Sequence, residues 1–385
     1  MAVVTDAPFY RDLRARRTVD ALARIGADVS VIDQGFEVDK SRVVLEKEYR
    51  LYSGAVPPSK SGRFIWHLKN RVLPLRAYDE RSQHIYEVLL AENPTVIHCI
   101  NVFALEPCAK AAEKLDARLV YEAYEYWPEH LHSKTTSIPS SLAEHLEKAE
   151  KEIAPTVDAF ITVSKPFGDW YRRYLDVVDP AIIFNVNAPD SHSEGVVNND
   201  KNYCLRVVHS GNLFVNRKIE QALYALDETD DFCLAIQGDG PQKSRLKAIA
   251  KKNGCSDRVE FIDSVPAEKL IDSLQEFQIG LQLHSPDSMQ TDGTVANKIF
   301  DYLRAGLAVI AVDTSGMQSL DRIDEFALLI EEATPSAIAQ AVDELSSDRG
   351  RLSSMRRSAL REGARYSREA QMLKIQKIYE GLDAS

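Results

Sequence analysis

Thr294-Val295-Ala296-Asn297-Lys298-Ile299-Phe300-Asp301-Tyr302-Leu303-Arg304-Ala305-Gly306-Leu307-Ala308-Val309-Ile310 holds a loop, a helix, a stop and a strand in one short run. The loop enters the helix at Asn297, a good capping residue, and Gly306 closes it before the apolar run from Ala308. A helix start offers unpaired N–H groups, and the helix dipole favours an anion there. Asp301 follows Asn297 by four residues, so both fall on one helical face, where the carboxylate can take a sugar hydroxyl or a ribose. Without a ligand, the same run is simply a capped amphipathic helix.

Outward from this unit the alternation continues in both directions. Leu205–His209, Cys233–Ile236, Val259–Ile262, Ile279–His284, Ala308–Val312 and Ala327–Ile330 read as strands with helices between them, and a helix from about Ser367 to Leu382 closes the chain. The N-terminal half repeats the pattern with strands at Ala2–Thr5, Ala27–Ile32, Val96–Ile100, Arg118–Glu122, Ala159–Val163 and Ala181–Asn185. A helix over Arg14–Ile25 ends at Gly26. Strands alternating with helices imply βαβ units and parallel sheets. The polar stretch Ser191–Asn202 interrupts the pattern and is the candidate linker. The expected fold class is therefore α/β, with two Rossmann-like doubly wound domains: 1–190 with the closing helix 366–385, and 203–365. Parallel sheets bind ligands beyond the carboxyl ends of their strands, so the chemistry is sought in those loops.

In the second domain Val207-Val208-His209-Ser210 leads into Gly211-Asn212-Leu213, and Arg217-Lys218 precede a helix. A glycine there lets backbone approach a ligand, and cations before a helix are placed to hold a diphosphate. The next strand ends in Gln237-Gly238-Asp239-Gly240-Pro241, whose two glycines permit a tight turn. Ordinary surface turns are the plainer reading of both. In the first domain Tyr10, Arg11, Asp12 and Arg14 occupy the loop after the first strand. The arginines Arg11, Arg14, Arg16 and Arg17 are placed either to meet a phosphorylated acceptor or to solvate a helix face.

Composition bounds the rest. A chain of 385 residues suits two domains, and 44% hydrophobic with 27% charged residues is ordinary for a globular protein. The formal net charge of −11 argues against a general nucleic-acid binder. Basic residues concentrate locally, however: Lys60, Arg63, Lys69, Arg71, Arg76 and Arg81 stand against Asp79 and Glu80, among Phe64, Ile65 and Trp66. A helix there would either lie on an anionic membrane or pack on the domain. No apolar stretch is long enough to span a bilayer, and Met1 to Asp6 reads as a strand rather than a secretory signal. The five cysteines (Cys99, Cys108, Cys204, Cys233, Cys255) form no C-x-x-C pair and read as small core residues of a reducing compartment. The expected location is the cytoplasm, with contact at the inner face of the membrane as the variant reading. Trp127 and Trp170 read as core or rim residues, and His98, His209 and His284, each at a strand end, as structural.

In these residues the sequence resembles the GT-B glycosyltransferases of the large retaining group that includes sucrose synthases and mannosyltransferases. Asp12-Leu13-Arg14 through Gly26-Ala27-Asp28-Val29 is similar to the subgroup with an Asp-x-Arg first loop. Val96–Asn101 and Val120–Glu129 resemble the family's next two cleft-edge segments, and Ile161–Ser164 and Phe184–Asn187 resemble the run into the interdomain hinge. Gly211–Leu213 with Arg217-Lys218, Gly238-Asp239-Gly240 and Asn297–Tyr302 resemble the donor-site elements, and the helix after Tyr366-Ser367 resembles one crossing back onto the first domain. The resemblance implies a metal-independent, retaining hexosyltransferase with no cofactor and a nucleotide-diphosphate sugar as co-substrate. Its acceptor would be a glycan, a lipid-linked sugar or a protein in cell-surface polysaccharide biosynthesis.

The roles it implies are these. Arg217 and Lys218 hold the leaving diphosphate, Asn297 and Lys298 lie beside the phosphates, and Asp301 lies near the ribose. Gly211, Asn212, Gly238, Asp239 and Gly240 shape the donor site. Tyr124 touches the transferred sugar, and Tyr10, Arg11, Asp12, Arg14 and Glu125 face the acceptor. Three positions depart from the family pattern. Gly293 stands where the family has the first of two glutamates, with Asp292 the available substitute. Tyr124 replaces a histidine, and Lys218 a usual glycine. A catalytically idle GT-B scaffold partner and a nucleotide-sugar epimerase are the competing readings.

Overall fold

The computed structural model describes residues 1–7, 9, 12–33, 50–53, 74–132, 138–186 and 204–383. Tyr10, Arg11, residues 60–73 of the basic stretch and the linker candidate 191–202 lie outside them. Two compact units result, Met1–Asn185 with Gln371–Ser385, and Val186–Ala370.

The first unit is built on a seven-stranded sheet of β1 (Ala2–Thr5), β2 (Ser30–Asp33), β3 (Arg50–Ser53), β4 (Val96–Ile100), β5 (Arg118–Ala123), β6 (Ala159–Thr162) and β7 (Ala181–Ile182). The spatial order is β3-β2-β1-β4-β5-β6-β7, and every pairing is parallel. Alternation along the strands divides the core in two. Val3, Val31, Val120 and Ile161 pack with Val19 and Leu22 of the helix Leu13–Arg24. The opposite face sets Val4, Ile32, Ile97, Tyr121 and Phe160 against Ile85, Leu89, Leu105 and Leu146. With both faces covered, the strands read as unbroken apolar runs.

The C-terminal helix Arg368–Asp383 belongs to this first unit from Gln371 onward. Met372, Ile375 and Tyr379 are buried in the β1-side core. Gln371 Oε1 accepts from Phe184 N at 3.0 Å, and Gln376 donates to Ala21 O at 3.1 Å. Tyr379 Oη lies 2.6 Å from His98 Nδ1, His98 Nε2 lies 3.1 Å from Glu122, and Glu122 takes Arg17 at 3.0 Å. Arg17 also donates to Phe184 O at 2.9 Å. This buried chain ties the helix Leu13–Arg24, β4, β5 and the C-terminal helix together.

The second unit carries a six-stranded sheet: β8 (Leu205–Ser210), β9 (Phe232–Gln237), β10 (Val259–Ile262), β11 (Ile279–Gln282), β12 (Ala308–Val312) and β13 (Ala327–Ile330). Its order is β10-β9-β8-β11-β12-β13, again parallel throughout. Both sheets are doubly wound, as expected for a pair of Rossmann-like domains. Among the described residues no helix is long and apolar enough to cross a membrane.

One expectation is corrected here. Cys204 and Cys233 are joined by a disulfide, with Cα atoms 6.2 Å apart, while Cys99, Cys108 and Cys255 are free and buried. The parallel register pairs Leu205 with Phe232 and so brings the preceding Cys204 beside β9, within disulfide reach. The cysteines therefore supply no argument for a reducing compartment.

Candidate active site

In the second unit, the loops leaving β8 and β9 interlock before either could touch a ligand. Gly211 N donates to Gln237 O and Leu213 N to Asp239 O, both at 2.9 Å. Gly238 has φ +140°, and a Cβ on it would lie 2.0 Å from Gly211 O; one on Gly240 (φ +153°) would lie 2.7 Å from Leu213 O. Only glycine allows this approach. Gly238 and Gly240 therefore shape the site through the backbone. Asp239 is exposed, and its carboxylate accepts from Gly240 N at 2.8 Å.

The helix Asn297–Ala305 is held over this junction by Tyr302. Its hydroxyl accepts from Ser210 N at 2.9 Å, and its ring lies so close to Gly280 of β11 that a Cβ there would stand 2.4 Å away. Gly306 ends the helix with φ +73°, as expected. The cap differs from expectation: Ala296 occupies the N-cap with no side-chain hydrogen bond, and Asn297 is the first helical residue. Asn297 falls one position late because the extended backbone persists through Ala296 (ψ 137°). The helix start is thus left without a capping side chain.

Helix placement brings Lys298 to the end of β8. Its ammonium lies 3.1 Å from His209 Nε2, beside Gly211, where a Cβ would stand 3.8 Å from Nζ. Burial drives the Lys298 pKa well below its ordinary value, Arg217 adds to the effect, and Asp301 opposes it. Burial alone lowers Arg217. His209 is pushed well down by burial, Lys298 and Arg217, and His284 falls to about 4 through burial and Arg217. Arg217 and Lys298 thus stand beside two histidines driven towards the neutral form, and neither cation has an ion-pair partner among the described residues. His209 Nδ1, Gln237 Oε1, Gln282 Oε1, Thr294 Oγ1 and Asp301 Oδ1 are buried without hydrogen-bond partners. Buried polar atoms are normally satisfied, so this concentration marks a site built for something polar.

Asp301 is 7% exposed, and burial raises its carboxyl to about 7 against the pull of Arg304 and Lys298. Arg217 ends a short turn and Lys218 follows at φ +51°, a left-handed backbone that explains why glycine suits position 218. Both are half-buried, while Asn212 is exposed. Asp292 Oδ1 accepts from Ser315 N at 2.9 Å, and Gly316 packs against the Thr294 carbonyl. Asp292 thus fixes the loop before the helix. Of the histidines read as structural, His98 stays in the buried chain of the first unit, whereas His209 and His284 stand near Arg217 and Lys298; for His209 the signal was its place at the carboxyl end of a central strand just before Ser-Gly.

In the first unit, the ends of β1, β4 and β5 converge. Asp12 caps the helix Leu13–Arg24, accepting from Arg14 N at 3.0 Å and Ala15 N at 3.1 Å, and takes Thr5 Oγ1 at 2.6 Å. Arg17 lies in the buried pair with Glu122, which removes it from the arginines offered to an acceptor. Arg14 lies with its guanidinium 3.6 Å over the Tyr124 ring. Burial raises the Tyr124 pKa further above its ordinary value, so the hydroxyl stays protonated and is no base. Burial raises Glu125 to about 7 and Asp6 to about 6. Asp6 and Asn101, absent from the expected site, are joined at 3.0 Å. Among the described residues no group of three or more His, Cys, Asp or Glu is placed to hold a metal ion.

Residues 192–365 match the family model for glycosyl transferases group 1, and residues 14–185 match that for glycosyltransferase family 4. The chain belongs to the glycosyl transferases group 1 family and has a two-domain GT-B fold. Solved structures of similar fold include sucrose-phosphate synthase from Thermosynechococcus elongatus, at TM-score 0.74 and 14% identity over 100% of this chain and 98% of that one. Anabaena HepE, solved in complex with UDP and glucose, aligns at TM-score 0.68 and 14% identity over 100% and 99%. Among curated proteins, D-inositol 3-phosphate glycosyltransferase of Corynebacterium urealyticum is 26% identical over 151 residues, 39% of this chain and 34% of that protein. An exopolysaccharide phosphotransferase of Streptomyces coelicolor is 22% identical over 234 residues, 60% of this chain and 24% of that protein. The matched regions thus span about a third and a quarter of those two relatives.

Proposed function

We propose that this glycosyltransferase moves a hexose-type sugar, with retention of configuration, from a nucleotide-diphosphate sugar to a glycan, lipid-linked or protein-linked acceptor. Its setting is cell-surface polysaccharide biosynthesis. One observation carries the reading: Arg217 and Lys298 stand at the carboxyl edge of the second sheet, and neither forms an ion pair among the described residues, Asp301 being the one carboxylate that acts on Lys298. A departing nucleoside diphosphate supplies an anion for both. Its charge grows as the glycosidic bond breaks, so preorganised cations in a desolvated pocket stabilise the transition state more than the ground state. The uncapped start of the helix Asn297–Ala305 adds N–H donors at the same place. Asp301, with one buried oxygen unpartnered, is suited to a ribose hydroxyl.

The charge supplied by Arg217 and Lys298 makes a resident metal unnecessary in this reading. Tyr124, protonated, donates to a substrate oxygen, and the leaving phosphate takes the acceptor proton. HepE, of similar fold, was also solved with UDP-glucose, which supports a nucleotide-sugar donor here. The test is a donor hydrolysis screen across common nucleotide sugars, followed by the anomeric configuration of the transferred sugar from its proton coupling. Release of one nucleoside diphosphate with retained configuration is expected. Turnover of no donor, together with no thermal shift on adding nucleotides, would leave an idle scaffold.

A further inference from the structure

In the first unit, Arg14 forms no ion pair among the described residues, although it stands near Asp6, Glu122 and Glu125. Of the arginines in the helix Leu13–Arg24, Arg17 is fixed by Glu122 and Phe184 O. Arg16 lies two residues from Arg14, and so on another side of the helix. Arg14 lies flat over Tyr124 at 3.6 Å, half-buried, with Nε buried and unpartnered, and hydrogen-bonds no carboxylate among the described residues. A stacked guanidinium is held in plane, its outer N–H groups presented as a fork suited to carboxylate or phosphate. Beside it Asn101 is fully buried, with Oδ1 unpartnered and Nδ2 on Asp6, and its backbone sits at φ +71°. Strain and an orphaned amide oxygen at the ends of β1 and β4 are features that cluster where ligands bind.

We propose that Arg14 grips an anionic substituent, carboxylate or phosphate, on the sugar acceptor, while Asp6, Asn101 and Glu125 bind its hydroxyls. This rests on the reading above that the first unit receives the acceptor. The groups facing the spot are Asp6 after β1, Asp12 and Arg14 at the helix start, Arg81 from the helix Pro74–Glu92, and Glu122, Tyr124 and Glu125 of β5 and its loop. Burial holds Asp6 and Glu125 partly protonated near neutral pH, so they can donate to an arriving anion rather than repel it. Anion binding therefore takes up protons and weakens as pH rises from 6 to 8.

The experiment titrates the full chain with methyl glucuronide, glucose 6-phosphate and the neutral methyl glucoside, followed by ligand-observed NMR. At least one charged probe is expected to bind about tenfold or more tighter than the glucoside, the range of one charge-assisted hydrogen bond. Which probe gains separates carboxylate from phosphate. The advantage should disappear in Arg14→Gln at unchanged melting temperature, persist in part in Arg14→Lys, and persist in full in Lys298→Met. Equal binding of charged and neutral probes overturns the proposal, as does an advantage that survives Arg14→Gln. If the advantage survives Arg14→Gln but is lost in Lys298→Met, the anion sits in the second unit, which overturns this inference and leaves the donor reading standing. Nucleoside diphosphate binding, measured separately, tests that reading.

Discussion

The ammonium of Lys298 and Nε2 of His209 meet at 3.1 Å, within a second unit that offers Lys298 no ion-pair partner among its described residues. Burial and the neighbouring Arg217 depress both groups, so these residues resist holding their full positive charge. A bound diphosphate reverses that balance. Binding of UDP or GDP is expected to take up protons near neutral pH. Titrating in buffers of different ionisation enthalpy measures the uptake; a heat independent of buffer would show that these groups keep their protonation on binding.

Gly238→Ala tests the interlocked loops. The new Cβ would stand 2.0 Å from Gly211 O at φ +140°, so a loss of roughly 2–4 kcal/mol in unfolding free energy is expected, with donor binding lost alongside. Gly254, at φ +70° with open space around it, is the control and should cost about 1 kcal/mol as alanine. Equal costs in denaturant melts would mean that the close approach is not what Gly238 provides.

Glu122→Gln addresses the buried chain to the C-terminal helix. Burial pushes the Glu122 carboxyl up, but the His98 hydrogen bond and Arg17 outweigh it and hold it at about 2. Because the folded value lies below the ordinary one, this contribution is complete above pH about 4.5 and is lost as pH falls towards 2. The variant leaves Arg17 buried without its carboxylate, and a loss of roughly 3–5 kcal/mol at pH 7 is expected. A melt matching the parent at pH 7 would contradict the coupling.

Glu150 behaves in the opposite sense. It is fully buried, accepts from Tyr121 at 2.7 Å and Tyr171 at 3.3 Å, and burial raises it from 4.5 to about 7. The folded chain keeps a proton that the unfolded chain releases, so stability falls as pH rises from 4.5 to 7 and stays lower above it. Glu150→Gln should flatten that slope and gain on the order of 2 kcal/mol at pH 8. An unchanged slope in pH-dependent melts would assign it elsewhere.

Much of the architecture was legible because strands buried on both faces declare themselves. Ala308–Val312 is apolar at every position and buried at every position. Arg50–Ser53 went unread because it is a four-residue edge strand that opens on an exposed arginine. Chain termini of elements were subtler. Asp12 is a cap that sequence reading did not assign, whereas Asn297 looked like a cap and is the first helical residue. Pattern gives residue type and spacing, and both positions turned on one residue's backbone angles. Arg17 and Arg14 are indistinguishable in sequence; only packing shows that one is neutralised by Glu122 and the other lies bare over Tyr124. Asp6 and Asn101 were missed since their pairing joins strands 95 positions apart.

The most direct measurement is a calorimetric titration of the full chain with UDP, GDP and inorganic pyrophosphate, repeated on Arg217→Ala and Lys298→Met. Saturable binding of at least one nucleoside diphosphate is expected, weakened about tenfold or more in each variant while both remain folded, with turnover lowered on the order of a hundredfold. Binding that is the same in the parent and both variants, or absent for every nucleoside diphosphate tried, would contradict the donor reading.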